Sequence, residues 1–340
     1  MSKKKKRILL IPKPYVGNDY ILNLKECLSE EFEIVNYNKK TDVLLKKYDY
    51  LYLNWIENLS IDSWFKYFVL RLFIFYVKKF KRKKIIWTFH NKLPHKVIEN
   101  IGNKKVLKRA QVTMNFIIKN SDFIILHSKY AKNYLLKNYR TKAILIEAPH
   151  GSYIRNFDVN NLKKMMKNNI LKVGFFGTVS KYKNVEFLID TIKDIKNVEF
   201  HVFGSVDEEY KRNLLRKYGN YKNIYFHFKF YEKEEVPKVF SEIDVLALNY
   251  NDITFLHSGA AFLSFSMKTP VIANKVGMFN DFEDKSFVFL YNNKKQLIEI
   301  VENLKLKSKI ELLKLGEEAF EYVSNNDWEL FLNKFICFIS

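Results

Sequence analysis

Asp244-Val245-Leu246-Ala247-Leu248-Asn249-Tyr250-Asn251-Asp252-Ile253-Thr254-Phe255-Leu256-His257-Ser258-Gly259-Ala260-Ala261-Phe262-Leu263-Ser264-Phe265-Ser266-Met267-Lys268-Thr269-Pro270-Val271-Ile272-Ala273-Asn274 is the stretch that decides the fold. An apolar strand is followed by a loop with small residues, a helix, a proline and a second strand, which is a βαβ unit. Small residues at a helix start let backbone N–H groups approach a phosphate, and the helix dipole favours an anion there. Taken alone, the segment reads equally well as a phosphate-binding turn or as an ordinary loop.

The same alternation extends in both directions. Upstream, 8–11, 32–36, 50–53, 84–88, 123–127 and 143–147 read as short apolar strands, with helices over 21–29, 63–81, 105–119 and 129–139. After a polar bridge at 156–169 the pattern restarts. Strands are expected at 172–176, 198–203, 224–228, 244–248, 271–273 and 287–290, and helices at 185–195, 208–218, 236–242, 257–267 and 295–306. Strands separated by helices imply parallel sheets wound on both faces. The expected fold is α/β, with two doubly wound Rossmann-like domains facing across a cleft. Residues 1–153 form the first domain and 170–325 the second, and a helix over 326–340 crosses back to the first.

The charge is uneven. Residues 1–150 carry 31 Lys and Arg against 12 Asp and Glu, whereas residues 151–340 carry 27 against 25. A basic first half attracts phosphate-rich partners: nucleic acid, anionic headgroups or lipid diphosphates. Its densest part, 64–84, combines aromatic, apolar and basic residues, but the uninterrupted apolar run Leu72–Val77 is far short of a membrane span. It suits a helix in a membrane interface, or a buried helix with a solvated basic end. Cys27 and Cys337 suggest neither a disulfide framework nor a metal site. The basic start Met1–Arg7 precedes only four apolar residues before Pro12, so it reads as a first strand rather than a signal peptide. A cytoplasmic protein, peripheral on the inner face of the cell membrane, is expected.

Four segments together resemble the GT-B glycosyltransferases, and among them the family 4-like bacterial enzymes of surface and capsular polysaccharide synthesis, over almost the whole chain. Trp87-Thr88-Phe89-His90-Asn91-Lys92-Leu93-Pro94-His95 resembles the family's strand-to-loop segment. The resemblance implies that His90 lies near the reacting sugar, with Asn91 and His95 at the acceptor or cleft. Pro149-His150-Gly151 resembles the lead into the interdomain linker, with His150 structural or at the cleft edge. Gly174-Phe175-Phe176-Gly177-Thr178-Val179-Ser180-Lys181-Tyr182-Lys183 resembles the opening of the donor domain. There Gly177, Thr178 and Lys183 would meet the donor diphosphate, although many relatives place an Arg where this chain has Thr178. In the opening stretch the resemblance assigns Ser258, Gly259 and Ala260 to the diphosphate and Asp252 and His257 to the donor sugar. Many relatives carry two Glu residues eight apart here; this chain has Phe255 and Leu263 instead.

The implied reaction is sugar transfer from a nucleoside-diphosphate sugar, UDP-linked ahead of GDP-linked, to a hydroxyl of a saccharide or lipid-diphosphate-linked acceptor. It needs no cofactor, and the absence of an Asp-x-Asp triplet agrees with no metal. His90 and Asp19 are the candidate bases if configuration inverts; retention would let the leaving phosphate take the proton. Three alternatives stay open: a nucleotide-sugar 2-epimerase on the same fold, a basic nucleic-acid-binding protein, and an inactive partner subunit. No nucleic-acid motif accompanies the charge, so a nucleic-acid partner is not expected.

Overall fold

The computed structural model describes residues 5–15, 17–39, 41–61, 63–94, 97–98, 102–159, 162 and 170–339. The chain divides into two compact units. The first comprises Met1–His150, Ile253–His257 and Trp328–Ser340, and the second Gly151–Asp252 and Ser258–Asp327.

In the first unit, β1 (Arg7–Ile11), β2 (Glu33–Val35), β3 (Tyr50–Leu53), β4 (Lys84–Thr88), β5 (Phe123–Leu126) and β6 (Ile144–Glu147) form one parallel sheet in the order β2-β1-β3-β4-β5-β6. The connections carry α1 (Asp19–Ser29), α2 (Asp42–Leu45), α3 (Trp64–Lys79), α4 (Lys104–Asn120) and α5 (Lys129–Asn138). Strand alternation divides the core into two layers. Leu9, Leu51, Ile85 and Ile124 pack with α3, α4 and α5, while Ile8, Tyr50, Ile86 and Phe123 face α1. The helix starts are set by local chemistry: the side chains of Asn18, Ser63, Asn103 and Ser128 each accept a first-turn N–H.

The second unit repeats the plan with β7 (Leu171–Phe176), β8 (Val198–Phe203), β9 (Ile224–His227), β10 (Val245–Leu248), β11 (Val271–Asn274) and β12 (Val288–Tyr291), ordered β12-β11-β10-β7-β8-β9. Its helices are α6 (Val185–Ile192), α7 (Glu208–Tyr218), α8 (Val236–Glu242), α9 (Gly259–Ser266), α10 (Lys294–Lys305) and α11 (Lys309–Asn325). The sequence reading did not include α11. Its Ser308/Glu311 capping box is nevertheless in place, with each side chain bonded to the other's backbone N–H. A Cβ on Gly316 would sit 2.1 Å from the Lys268 carbonyl, so this mid-helix glycine lets α11 lie directly on the turn after α9. The expected α/β fold, two doubly wound parallel sheets, is the one observed. In each, the winding direction reverses at one place: between β1 and β3, and between β7 and β10. Ligands of such sheets bind at that reversal, outside the strands' C-terminal ends.

Two segments belong to the first unit although they lie far along the chain. One is α12 (Trp328–Ile339), which buries Trp328, Phe331 and Phe335. Phe335 stacks on Tyr52 with centroids 5.9 Å apart, and the Tyr50 hydroxyl donates to the Ile339 carbonyl at 2.7 Å. Trp328→Ala is expected to cost about 3–5 kcal/mol, as for other buried aromatic truncations. Because Trp55, Trp64 and Trp87 remain in this unit, tryptophan fluorescence reads the loss as a lower urea midpoint. An unchanged midpoint would mean that α12 does not hold the unit together.

The other segment is 253–257, which the sequence reading placed inside a continuous second domain. Phe255 bridges Asn91 in antiparallel fashion, and the Lys92 N–H donates to the Thr254 carbonyl at 3.0 Å. Strand-like pairing with the loop after β4 therefore draws these five residues into the first unit. Among the described residues, no helix is long and apolar enough to cross a membrane.

Candidate functional site

In the second unit, the loop after β7 and the start of α9 flank the β7/β10 reversal. Gly177 adopts φ +117°, a conformation that favours glycine. A Cβ there would lie 2.7 Å from Lys183 Nζ, so glycine is what lets the ammonium cover the loop backbone. Gly204 at the end of β8 is just as constrained: its Cβ would meet the Gly177 carbonyl at 1.9 Å. The Lys183 ammonium also lies 5.5 Å from the Phe175 ring centroid. Burial without a neighbouring carboxylate pushes its pKa down to about 8. A cation held this way gains from an arriving anion.

The β7 loop is tied to α9 through side chains. Tyr182 packs on Tyr250 with centroids 5.7 Å apart, and the Tyr250 and Ser258 hydroxyls share a hydrogen bond of 2.7 Å. Ser258 caps α9 by accepting the Ala261 N–H at 3.1 Å. Its own N–H donates to the Met278 thioether at 3.1 Å and is therefore committed within the protein. Gly259 and Ala260 keep first-turn N–H groups without a partner among the described residues, which is the arrangement that receives phosphate oxygens. Gly177, Lys183 and the 258–260 turn are thus brought together around one reversal point. Thr178 is exposed on the same loop, and Asp252 lies on an exposed turn before the segment that joins the first unit.

In the first unit the strand C-termini converge on four of the chain's seven histidines. His90 follows β4, His127 follows β5, His150 lies beyond β6, and His257 comes from the 253–257 segment. Ring centroids are 5.1 Å apart for His90 and His257, 5.2 Å for His127 and His257, and 5.4 Å for His127 and His150. The hydrogen bonds fix the tautomers. His90 Nε2 donates to Asn54 Oδ1 at 2.8 Å, so its Nδ1 accepts from His257 Nε2 at 3.1 Å. His127 Nδ1 donates to the Ala148 carbonyl at 3.0 Å, leaving Nε2 to accept from the Tyr20 hydroxyl at 2.8 Å. Trp55, held at φ +52°, stacks on His90 with centroids 4.1 Å apart. A bulky residue in the left-handed region is strained, and such strain concentrates at functional sites.

Burial separates two titrating groups here. His127 is pushed down to about 4, chiefly by desolvation, and is neutral. Glu57, fully buried beneath this edge with the Trp87 indole donating at 3.3 Å, is pushed up to about 7 for the same reason. His127, depressed from 6.5, contributes stability above pH 6.5 that is lost as pH falls towards 4. Glu57, raised from 4.5, contributes stability below pH 4.5 that is lost as pH rises towards 7. Each amounts to about 1.4 kcal/mol per pH unit, and between pH 4.5 and 6.5 the two slopes oppose each other. Relative to wild type, Glu57→Gln is therefore expected to lose stability on acidification across that window, and His127→Gln to gain it. Tryptophan-monitored urea midpoints at several pH values check this; parallel profiles for all three proteins would refute it.

Asp19, the other candidate base, sits half-buried in the first turn of α1 next to Tyr20. Asn91 is buried at the bridge to Phe255, and Phe255, where a carboxylate stands in many relatives, is fully buried and serves packing. His95 lies outside the described residues. Tyr20, Asn54, Trp55 and His127 were not singled out in the sequence. A signal existed for His127, since β4, β5 and β6 are each followed by a histidine within three residues. Among the described residues, no group of three or more His, Cys, Asp or Glu is arranged to hold a metal ion.

Comparison with known proteins bears on both units. Residues 170–305 match the family described as Glycosyl transferases group 1. Two uncharacterized glycosyltransferases of Methanocaldococcus jannaschii are each 26% identical, over 281 and 253 residues. These alignments cover 76% and 70% of this chain and 68% and 65% of those proteins, so the chain spans about two thirds of their length. The crystal structure of Anabaena HepE in complex with UDP-glucose superposes with a TM-score of 0.67 at 15% identity, covering 98% of this chain and 99% of that one. At that identity the likeness is one of fold, the GT-B fold.

Proposed function

We propose, for a chain that is a glycosyltransferase of the group 1 type with the GT-B fold, that it moves a hexose from a UDP-sugar to a hydroxyl of a saccharide or lipid-linked saccharide acceptor, in the building of a cell-surface polysaccharide such as a capsule. The observation that carries this is the half-buried Lys183 ammonium over left-handed Gly177, laced through Tyr182, Tyr250 and Ser258 to the first turn of α9. When the bond from the sugar's anomeric carbon to the diphosphate breaks, negative charge grows on the leaving oxygen. A preorganised ammonium and two N–H groups stabilise that charge without a metal ion. UDP is preferred because HepE, of the same fold, was crystallised with UDP-glucose.

The first unit takes the acceptor. His90 Nδ1 is the basic nitrogen of its tautomer, and a substrate hydroxyl reaching it replaces His257 as the donor and passes its proton there. The protein works in the cytoplasm, attached peripherally to the inner face of the membrane through 64–84. Incubation with UDP-, GDP- and dTDP-sugars, with and without membrane lipid extract, tests the reading by slow nucleotide release. Release from a UDP-sugar, faster with the extract, is expected. No release from any donor, together with tight salt-sensitive RNA binding, would overturn it.

A further inference from the structure

We propose that the first unit docks on an anionic lipid bilayer through two contiguous features: a cationic recess at the N-terminal edge of its sheet and an apolar stripe along α3. This rests on the membrane attachment proposed above and says how it is made. The recess encloses about 710 Å³. Nine Lys and Arg side chains from 5–7, 46–47 and 81–84 line it, with Asp49 the one carboxylate in its wall. Three of the nine have acidic partners: Arg7 pairs with Glu33, Lys46 with Asp42, and Lys83 with Asp49 at 3.9 Å. The others have no carboxylate partner among the described residues, and Lys47 and Arg82 make no hydrogen bond there either. The lining segments lead into β1, β3 and β4, so the recess lies at the edge opposite the histidine cluster.

The stripe starts where the recess ends. α3 is apolar on both sides, which ordinarily marks a helix covered all round. Tyr67, Leu70, Ile74 and Val77 are buried, but Phe65, Phe68, Leu72 and Phe75 are 74%, 56%, 53% and 53% exposed along the other side. The Phe75 ring lies 6.0 Å from that of Phe80, which is 70% exposed and directly precedes the recess residue Lys81. Lys66, Arg71 and Lys79 flank the stripe and are exposed.

Charge and apolarity together select the occupant. A second copy meeting this face with its own residues 1–150 would bring the same excess of 31 basic over 12 acidic residues and be repelled. Nucleic acid would use the recess and leave the aromatic stripe in water. An anionic bilayer supplies phosphates for the recess and an acyl boundary for the stripe. With 16 residues, α3 runs about 24 Å along such a surface. Its first residue follows the short helical turn after β3, beside Asn54 and Trp55, so a lipid-linked acceptor would arrive at the edge where His90 stands.

Flotation of the full chain with phosphatidylcholine vesicles, with and without phosphatidylglycerol, tests the proposal. Wild type is expected to float with the anionic vesicles only, and added salt to release it. K47Q/R82Q/K84Q and F65S/F68S/F75S should each weaken binding by about tenfold or more. Both variants should release nucleotide from a soluble donor at the wild-type rate, which separates failure of docking from failure of the transferase reading. No vesicle binding, equal binding to neutral vesicles, binding to RNA alone, or self-association abolished by the F65S/F68S/F75S change would each overturn it.

Discussion

Lys183→Met is expected to lower nucleotide release from the donor by about 10²–10³, the usual loss when one preorganised charge-stabilising group is removed from a reaction site. The effect should fall on kcat as well as KM, because the charge on the leaving diphosphate grows towards the transition state. A pH signature accompanies it. Burial holds the Lys183 pKa at about 8, below its usual 10.5, so the ligand-free protein has lost half of this charge near pH 8 and loses most of it above that. An anionic ligand favours the charged form. UDP affinity should therefore fall by up to tenfold per pH unit above 8 in wild type and far less in the methionine variant. Equal profiles for the two proteins would remove Lys183 from the donor site. The substitution is safe for folding, since it replaces a half-buried charge that desolvation disfavours by a side chain of similar shape.

His90→Ala should reduce transfer to the acceptor by about 10²–10⁴, the range for loss of a positioned proton acceptor. UDP binding should be unaffected, because the diphosphate contacts assigned here lie in the other unit. His257→Ala offers a graded comparison. It removes the N–H that His90 Nδ1 accepts and the ring contacts to His127 and His150 but leaves His90 itself in place, so a smaller loss is expected. If His90→Ala and wild type transfer equally fast, proton removal belongs elsewhere, and Asp19 becomes the residue to test.

Much of this was visible in the chain because local patterns carried it. Short β-branched and aromatic runs separated by amphipathic stretches located β3, β4 and β8 to the residue, and α7 and α8 likewise. The helix α11 was missed because Gly316 interrupts an otherwise helical pattern, and its reason, close approach to the Lys268 carbonyl, is tertiary. The donor-side residues were legible from a loop glycine, a lysine six residues on and small residues at a helix start. What they could not reveal is that the Ser258 N–H is spent on Met278, twenty residues away. The first-unit cluster was the least legible. Asn54, Trp55, Tyr20 and His127 come from three separate connections, and only parallel strand order places them around His90. The joining of 253–257 to that unit depends on pairing with Asn91 and Lys92, which no local pattern encodes.

The aromatic segment 64–84 shows the same division. Composition gave its mixed character, but which face lies outward follows from packing: Leu70, Ile74 and Val77 turn inward, and the phenylalanines at 65, 68 and 75 are left to solvent.

A crystal of the chain soaked with UDP tests the central claim most directly. The diphosphate is expected within hydrogen-bonding distance of Lys183 Nζ and of the Gly259 and Ala260 N–H groups, at the reversal between β7 and β10. A nucleotide bound elsewhere, or none at saturating UDP, would contradict the assignment of this turn as the donor site.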